Sequence, residues 1–130
     1  MRTAATVAQM LVRLCGLGLI VLGILFWTGN ALTLLPVHIL LGLVLVLSLW
    51  TLAFIAARFG APIGFVVVAF LWGLLVPVFG LTQTRLLTGD AHWVIQVLHL
   101  LVGLVAIGQA EGLGRRIREA APATTPQLDG

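Results

Sequence analysis

The chain has 130 residues, of which 61% are hydrophobic and only 8% are charged, and its mean hydropathy is +1.18. A soluble domain carries about 25% charged residues, so this composition excludes an ordinary soluble domain and indicates an integral membrane protein. The pI of about 11.2 comes from seven basic residues, all arginines, which flank apolar segments. No lysine-rich or aromatic-interleaved basic patch accompanies them, so the charge does not predict nucleic-acid binding.

Four apolar segments are long enough to cross a lipid bilayer as helices. No charged residue occurs from Leu14 to Ala57, and this run is too long for one crossing of about 20 residues, so it must turn once. The turn falls in WTGNALTLLP, where Gly29 and Asn30 break the helix and Pro36 suits the first turn of the next. The sequence therefore predicts an all-α membrane protein, an up-down-up-down bundle of four transmembrane helices. The predicted spans are about 9–28, 35–57, 62–83 and 91–113.

The arginines predict how the bundle is oriented. Six of them fall on one side of the four spans, and Arg85 alone falls on the other. Because cytoplasmic loops carry an excess of basic residues, we expect both termini in the cytoplasm and the protein in a bacterial inner membrane. The segment 114–130, rich in Pro, Ala and Thr towards its end, is expected to be a disordered cytoplasmic tail.

Polar residues follow one face of the fourth span. They are His92, Gln96, His99 and Gly103. Their spacing of 4, 3 and 4 residues places them on one side of a helix, in a stripe that starts at the outer surface and runs inward. Polar groups in a membrane helix are costly and usually face the bundle interior, so this stripe is a candidate site.

The second span carries a shorter version of the stripe. The stretches HILLG at 38–42 and HLLVG at 99–103 each place a glycine four residues after a histidine. Superposed, they give a weak two-helix internal repeat, whose approximate two-fold axis would lie along the membrane normal. Spans two and four would then lie diagonally across the bundle, with His38 facing His99 across the interior.

Two facing imidazoles favour a haem over a bare metal ion. Zinc needs four ligands, and no cysteine or carboxylate is expected at the depth of His38 and His99. A haem supplies four nitrogens itself and takes two axial ligands from the protein. Gly42 and Gly103 would let the flat macrocycle approach the backbone where a side chain would clash. We expect one haem b per chain, with His38 and His99 as the iron ligands.

The outer residues have supporting roles in this interpretation. His92 lies two turns farther out than His99, near the edge of the cofactor, and stays open as the alternative ligand. Gln96 belongs to the same polar stripe. Arg85 could pair with a haem propionate, although it also fits an ordinary solvated loop. Asp90 is expected to cap the fourth helix.

With these features the chain resembles the small four-helix membrane cytochromes of the b type, such as the bacterial superoxide oxidase and related quinone-linked cytochromes. The shared features are four short-looped spans and histidines near the outer ends of helices, here His38 and His99. The resemblance implies electron transfer, with quinone or superoxide as partner. Members of that group commonly hold two haems, whereas the three histidines here complete one bis-histidine site. A second haem shared between subunits, and with it a homo-oligomer, stays open.

Two other classes of protein also stay open. A non-catalytic membrane subunit or scaffold would pack through glycine-rich helices, and a single HxxxG stretch is more typical of such packing, with its histidine bonded to a neighbouring helix. The glycines on that surface would be Gly16, Gly23 and Gly42, or Gly64, Gly73 and Gly80. A small transporter is less favoured, because coupled carriers normally hold an intramembrane acid, and Asp90 and Glu111 are expected at helix ends.

Overall fold

Four long helices make up most of residues 1–120, the part of the chain that this computed structural model describes. They are α1 (Arg2–Trp27), α2 (Leu35–Arg58), α3 (Ile63–Thr82) and α4 (His92–Glu119). Short 3-10 turns at Leu32–Leu34 and Gln83–Arg85 precede α2 and follow α3. Each of the four helices is long and apolar enough to span a membrane. The predicted all-helical fold with four long apolar helices is confirmed.

The ends of the helices differ from the predicted spans at two places. The first helix begins at Arg2 rather than near residue 9, and α4 continues past residue 113 to Glu119. Residues 114–119 are therefore helical where a disordered tail was expected, and the rest of that predicted tail, 121–130, lies outside the described residues. The reason is that Ile117 is 2% exposed, so the buried face of α4 continues among the arginines that lower the local hydropathy.

In the loops, the predicted break between the first two helices is confirmed, and the predicted N-cap of α4 is wrong. Gly29 has a φ of 77°, which favours glycine, and Pro36 lies in the first turn of α2, as predicted. Asp90, however, does not cap α4: the N-cap residue is Ala91, and no side chain makes a capping hydrogen bond. The amide of His92 instead donates to the carbonyl oxygen of Gly89 (3.0 Å), so the backbone itself satisfies the first turn.

The hydrophobic core lies in one half of the bundle. Its buried side chains come from the first half of α1, the second half of α2, the first half of α3 and the second half of α4. The members with 0% exposure are Val12, Leu49, Leu52, Ala53, Ala56, Ala69, Ala106, Ala110 and Leu113. In the opposite half, residues 17–44 and 74–105, only Ile95 is buried. The helices therefore pack closely at the arginine-rich end and loosely at the other end, which we call the open half.

The two central helices are α2 and α4. Each contacts the other three helices, whereas α1 and α3 do not contact each other in the described part of the chain. In cross-section, α2 and α4 therefore lie across the short diagonal of the bundle. Side chains on their facing surfaces can meet directly.

A polar network joins α1 to α4 at the closely packed end. Arg13 donates to both carboxylate oxygens of Glu111 (2.7 and 2.8 Å), and Gln9 donates its Nε2 hydrogen to Glu111 (2.6 Å). Glu111 lies within α4, about two turns before its end, so its expected position at a helix end is wrong. The carboxylate is balanced by Arg13, which suits a structural link better than the free acid of a coupled carrier.

Candidate cofactor site between two histidines

Two imidazole rings meet in the open half of the bundle. His38 belongs to the first turns of α2, and His99 lies two turns into α4. The centroids of the two rings are 6.3 Å apart, and their planes are tilted by 44°. The structure thus brings together the two residues that the sequence repeat placed opposite each other.

Both imidazoles carry a buried nitrogen that the chain does not satisfy. The Nδ1 atoms of His38 and His99 are buried and have no hydrogen-bond partner within residues 1–120. A buried polar group left without a partner costs about 1–3 kcal/mol. If these histidines served only to bond a neighbouring helix, their ring nitrogens would be paired. The contacts of the described chain therefore do not support the packing interpretation of the two HxxxG stretches.

A phenylalanine packs against each histidine. Phe26, near the end of α1, lies 5.4 Å from His38 between ring centroids, with an interplanar angle of 57°. Phe79, near the end of α3, lies 5.9 Å from His99 at 52°. Each phenylalanine belongs to the helix that precedes its histidine, so the two halves of the chain repeat the same contact. These tilted aromatic contacts limit how far either imidazole can rotate.

Gly80 leaves the space that the imidazole of His99 occupies, a role that the sequence did not predict. A Cβ atom on Gly80 would lie 3.0 Å from Cε1 and 3.6 Å from Nε2 of His99. Contacts of 3.0 Å are shorter than ordinary van der Waals contact, so any larger residue would displace the imidazole. The sequence feature that could have pointed to it is its position directly after Phe79, at the end of the helix that faces His99.

Gly42 and Gly103 lie beside open space. A Cβ atom on either residue would meet no heavy atom within 4 Å. Neither glycine is used for close helix packing within the described chain. Space is therefore free one helical turn from each histidine, where the sequence interpretation needs room for a flat ligand.

The remaining predicted site residues lie outside the histidine pair. His92 contacts the loop between α3 and α4, with its Nδ1 atom 3.2 Å from the carbonyl oxygen of Leu86. Gln96 is half-buried one turn after His92, and Arg85 is exposed in the second 3-10 turn. Within residues 1–120, Arg85 makes no ion pair. The structure therefore separates His92 and Arg85 from the pair formed by His38 and His99.

The two ring centroids are as far apart as those of two imidazoles that ligate one metal ion from opposite sides. An imidazole nitrogen lies about 2.0–2.1 Å from a bound transition metal and about 1.1 Å from its own ring centroid, which puts two opposed centroids about 6.2–6.4 Å apart. The observed separation is 6.3 Å. Residues 1–120 contain no group of three or more His, Cys, Asp or Glu side chains that could hold a metal ion. A metal at this pair would therefore need further ligands, and a porphyrin would supply four of them.

No protein-family model matches this chain, and no curated protein and no solved structure matches it either. Residues 1–120 define the class of protein: they are all-helical, with four long apolar helices and two imidazoles whose centroids lie 6.3 Å apart in the open half.

Proposed function

We propose that this protein is a membrane b-type cytochrome that holds one haem between His38 and His99 and transfers electrons. The observation that carries the proposal is the 6.3 Å separation of the two ring centroids, which would let both histidines hold one iron. The buried Nδ1 atoms have no partner within residues 1–120, so no competing hydrogen bond holds either ring. Bound haem would supply a one-electron redox centre, and an iron held by two histidines would have no position left for substrate, which favours electron transfer over oxygen activation.

The residues around the pair have separate parts in this proposal. His38 and His99 would hold the iron from the two central helices. Phe26 and Phe79 restrict the two imidazoles, and Gly80 leaves the space that His99 occupies. Packing that fixes ligand orientation in this way tunes the affinity and the potential of a metal centre.

The proposal places the four helices across a bacterial inner membrane in up-down-up-down order, with the arginine-rich end in the cytoplasm. Its support is the apolar length of every helix and the six-to-one distribution of arginines. The contacts of Phe26 with His38 and of Phe79 with His99 join the end of one helix to the start of the next. The haem would then lie in the outer half of the bilayer, where a membrane quinone or superoxide can exchange electrons with it.

A scaffold is the competing class, and the structure divides its candidate glycines into two groups. Those already covered within the chain are Gly16, Gly73 and Gly80, which Ile107, Trp50 and His99 contact. Those with no heavy atom within 4 Å of an added Cβ are Gly23, Gly42 and Gly64. The second group, which the described chain leaves uncovered, would have to form the contact with a partner helix.

Visible absorption of the purified protein separates the two classes. Protein from haem-sufficient cells should show a Soret band and low-spin b-type bands that sharpen on reduction. The double variant His38→Ala/His99→Ala, prepared in parallel, should be colourless while keeping its helical circular dichroism. A colourless wild type that also fails to take up added hemin would overturn the proposal and favour the scaffold. Binding of copper but not hemin by the same two histidines would overturn it too.

A further inference from the structure

The arginine-rich end of the bundle contains a small basic cavity that the histidine pair does not use. Its volume is about 200 Å³, and it lies between the first turns of α1 and the last turns of α4. Its lining includes Arg2, Ala5, Thr6, Gln9, Gly114 and Arg118. The two arginines lie at the beginning and the end of the described helical bundle, so the cavity is at the level where a membrane protein meets lipid headgroups.

A buried glutamine holds one of these arginines in place. Gln9 is only 5% exposed, and its Oε1 accepts a hydrogen bond of 2.6 Å from Nη1 of Arg118. Gly114 makes room for the amide, because a Cβ atom there would lie 2.6 Å from Cδ of Gln9. Burying an amide on an apolar helix is costly unless its polar atoms are bonded. Gly114 and Gln9 thus hold the Arg118 guanidinium in position at the cavity wall.

Two arginines, Arg2 and Arg118, line this cavity. The other bond of the Gln9 amide goes to Glu111, whose carboxylate is already balanced by two hydrogen bonds from Arg13. Arg118 therefore brings a further positive charge to the wall beyond that neutral pair. A guanidinium has five N–H donors in a planar fork, and its bond to Gln9 uses one of them. That fork matches the oxygens of a phosphate group.

We infer that this cavity binds a phosphate group, carried by an anionic phospholipid or present as a free phosphate ion. Arg118 is the principal contact, Arg2 contributes charge, and Gln9 is a positioning residue. The cytoplasmic leaflet is rich in anionic lipid, which is the side that the arginine distribution assigns to this end. The inference is independent of haem, since none of its residues contacts the histidine pair.

Native mass spectrometry of the full-length protein in detergent tests the inference with three probes. Phosphatidylglycerol carries the phosphate on a lipid, inorganic phosphate carries it alone, and diacylglycerol is the lipid without it. We expect saturable binding of one phosphatidylglycerol per chain and none of diacylglycerol at the same concentration. Binding of inorganic phosphate as well would show that the phosphate group suffices, and its absence would assign the site to the lipid headgroup. Equal binding of diacylglycerol and phosphatidylglycerol, or no binding of any probe, would overturn the inference.

Two arginines three residues apart on α4 give a matched pair of variants. Arg118→Gln should weaken phosphatidylglycerol binding about tenfold, because it removes the guanidinium from the cavity wall. Arg115→Gln removes the same charge from outside the cavity, where it pairs with Glu119 (3.7 Å), and should change the affinity less than about twofold. Arg118→Lys, which keeps the charge and loses the fork, should fall between them and covers the case in which Arg118→Gln does not fold. Equal weakening by Arg115→Gln and Arg118→Gln would indicate general charge attraction and contradict the site.

Discussion

His38 on α2 and His99 on α4 hold their imidazole rings 6.3 Å apart in the loosely packed half of a bundle whose core is built in the other half. The two rings come from the two helices that contact each other across the short diagonal. Because the nine side chains with 0% exposure all lie away from the pair, the site and the core are separate parts of the same bundle. Changes at the histidines should therefore alter ligand binding more than folding.

The ligand assignment is tested by three single variants. His38→Ala and His99→Ala should each abolish low-spin bis-histidine haem binding, since each removes one of the two imidazoles of the pair. His92→Ala should keep the haem, with at most a shifted potential, because His92 contacts the carbonyl of Leu86 and not the pair. Visible spectra of the three proteins, compared at equal helical content, check this. Loss of the spectrum in His92→Ala with retention in His99→Ala would show that the ligand assignment is wrong.

Bulk next to the histidines should expel the cofactor without removing a ligand. Gly42→Leu or Gly103→Leu would fill the open space one turn from His38 or His99, where the porphyrin edge would pass. We expect at least about a tenfold loss of hemin affinity, measured by Soret titration. Gly108→Leu is the control, since Gly108 is exposed on the same helix as Gly103 and also has no neighbour within 4 Å. Normal hemin binding by Gly42→Leu and Gly103→Leu would place the ligand elsewhere.

Gly80 should control the position of His99. In Gly80→Ala the new methyl group would lie 3.0 Å from Cε1 of His99, so the imidazole must move. Overpacking of this kind costs about 1 kcal/mol or more, which corresponds to hemin binding weakened about fivefold or more, with a shifted reduction potential. Gly64→Ala on the same helix meets no atom within 4 Å and should leave both quantities unchanged. Identical hemin titrations of Gly80→Ala and Gly64→Ala would show that Gly80 does not position His99.

The proposed orientation can be tested by labelling single cysteines in intact cells. In a background in which the buried Cys15 is replaced by alanine, the exposed positions Thr33 and Thr88 should react with a membrane-impermeant maleimide when changed to cysteine. A cysteine at the exposed position Ala120 should not react until the cells are opened. The reason is that six of seven arginines lie at the end that contains Ala120. The reverse labelling pattern would invert the orientation and leave the four helices intact.

The helices could be predicted because apolar length and charged interruptions are local properties of a sequence. The end of α4 could not, since Arg115, Arg116 and Arg118 suggest a solvated tail while Ile117 between them is buried against the bundle. Asp90 has a residue type suited to capping, yet the backbone of Gly89 satisfies the first turn instead. In both cases the deciding contact comes from elsewhere in the fold.

The histidine pair could be predicted from the sequence, and the residues around it could not. The recurrence of HxxxG selected His38 and His99 from a chain with few polar residues. Phe26, Phe79 and Gly80 are ordinary residues of apolar helices, and their importance lies in contacts across helices that no spacing rule encodes. The loose packing of the open half was equally hidden, because both halves have the same apolar composition.

The most direct test counts the imidazoles on the iron. Ferric protein is prepared with ¹⁵N-histidine and with ordinary histidine, and electron paramagnetic resonance with hyperfine detection measures the nitrogen couplings of the haem. We expect a low-spin ferric signal with couplings from two histidine nitrogens, both of which change with the label, in the wild type and in His92→Ala alike. A high-spin signal, or coupling to one histidine or none, would contradict the claim that His38 and His99 hold the haem between them.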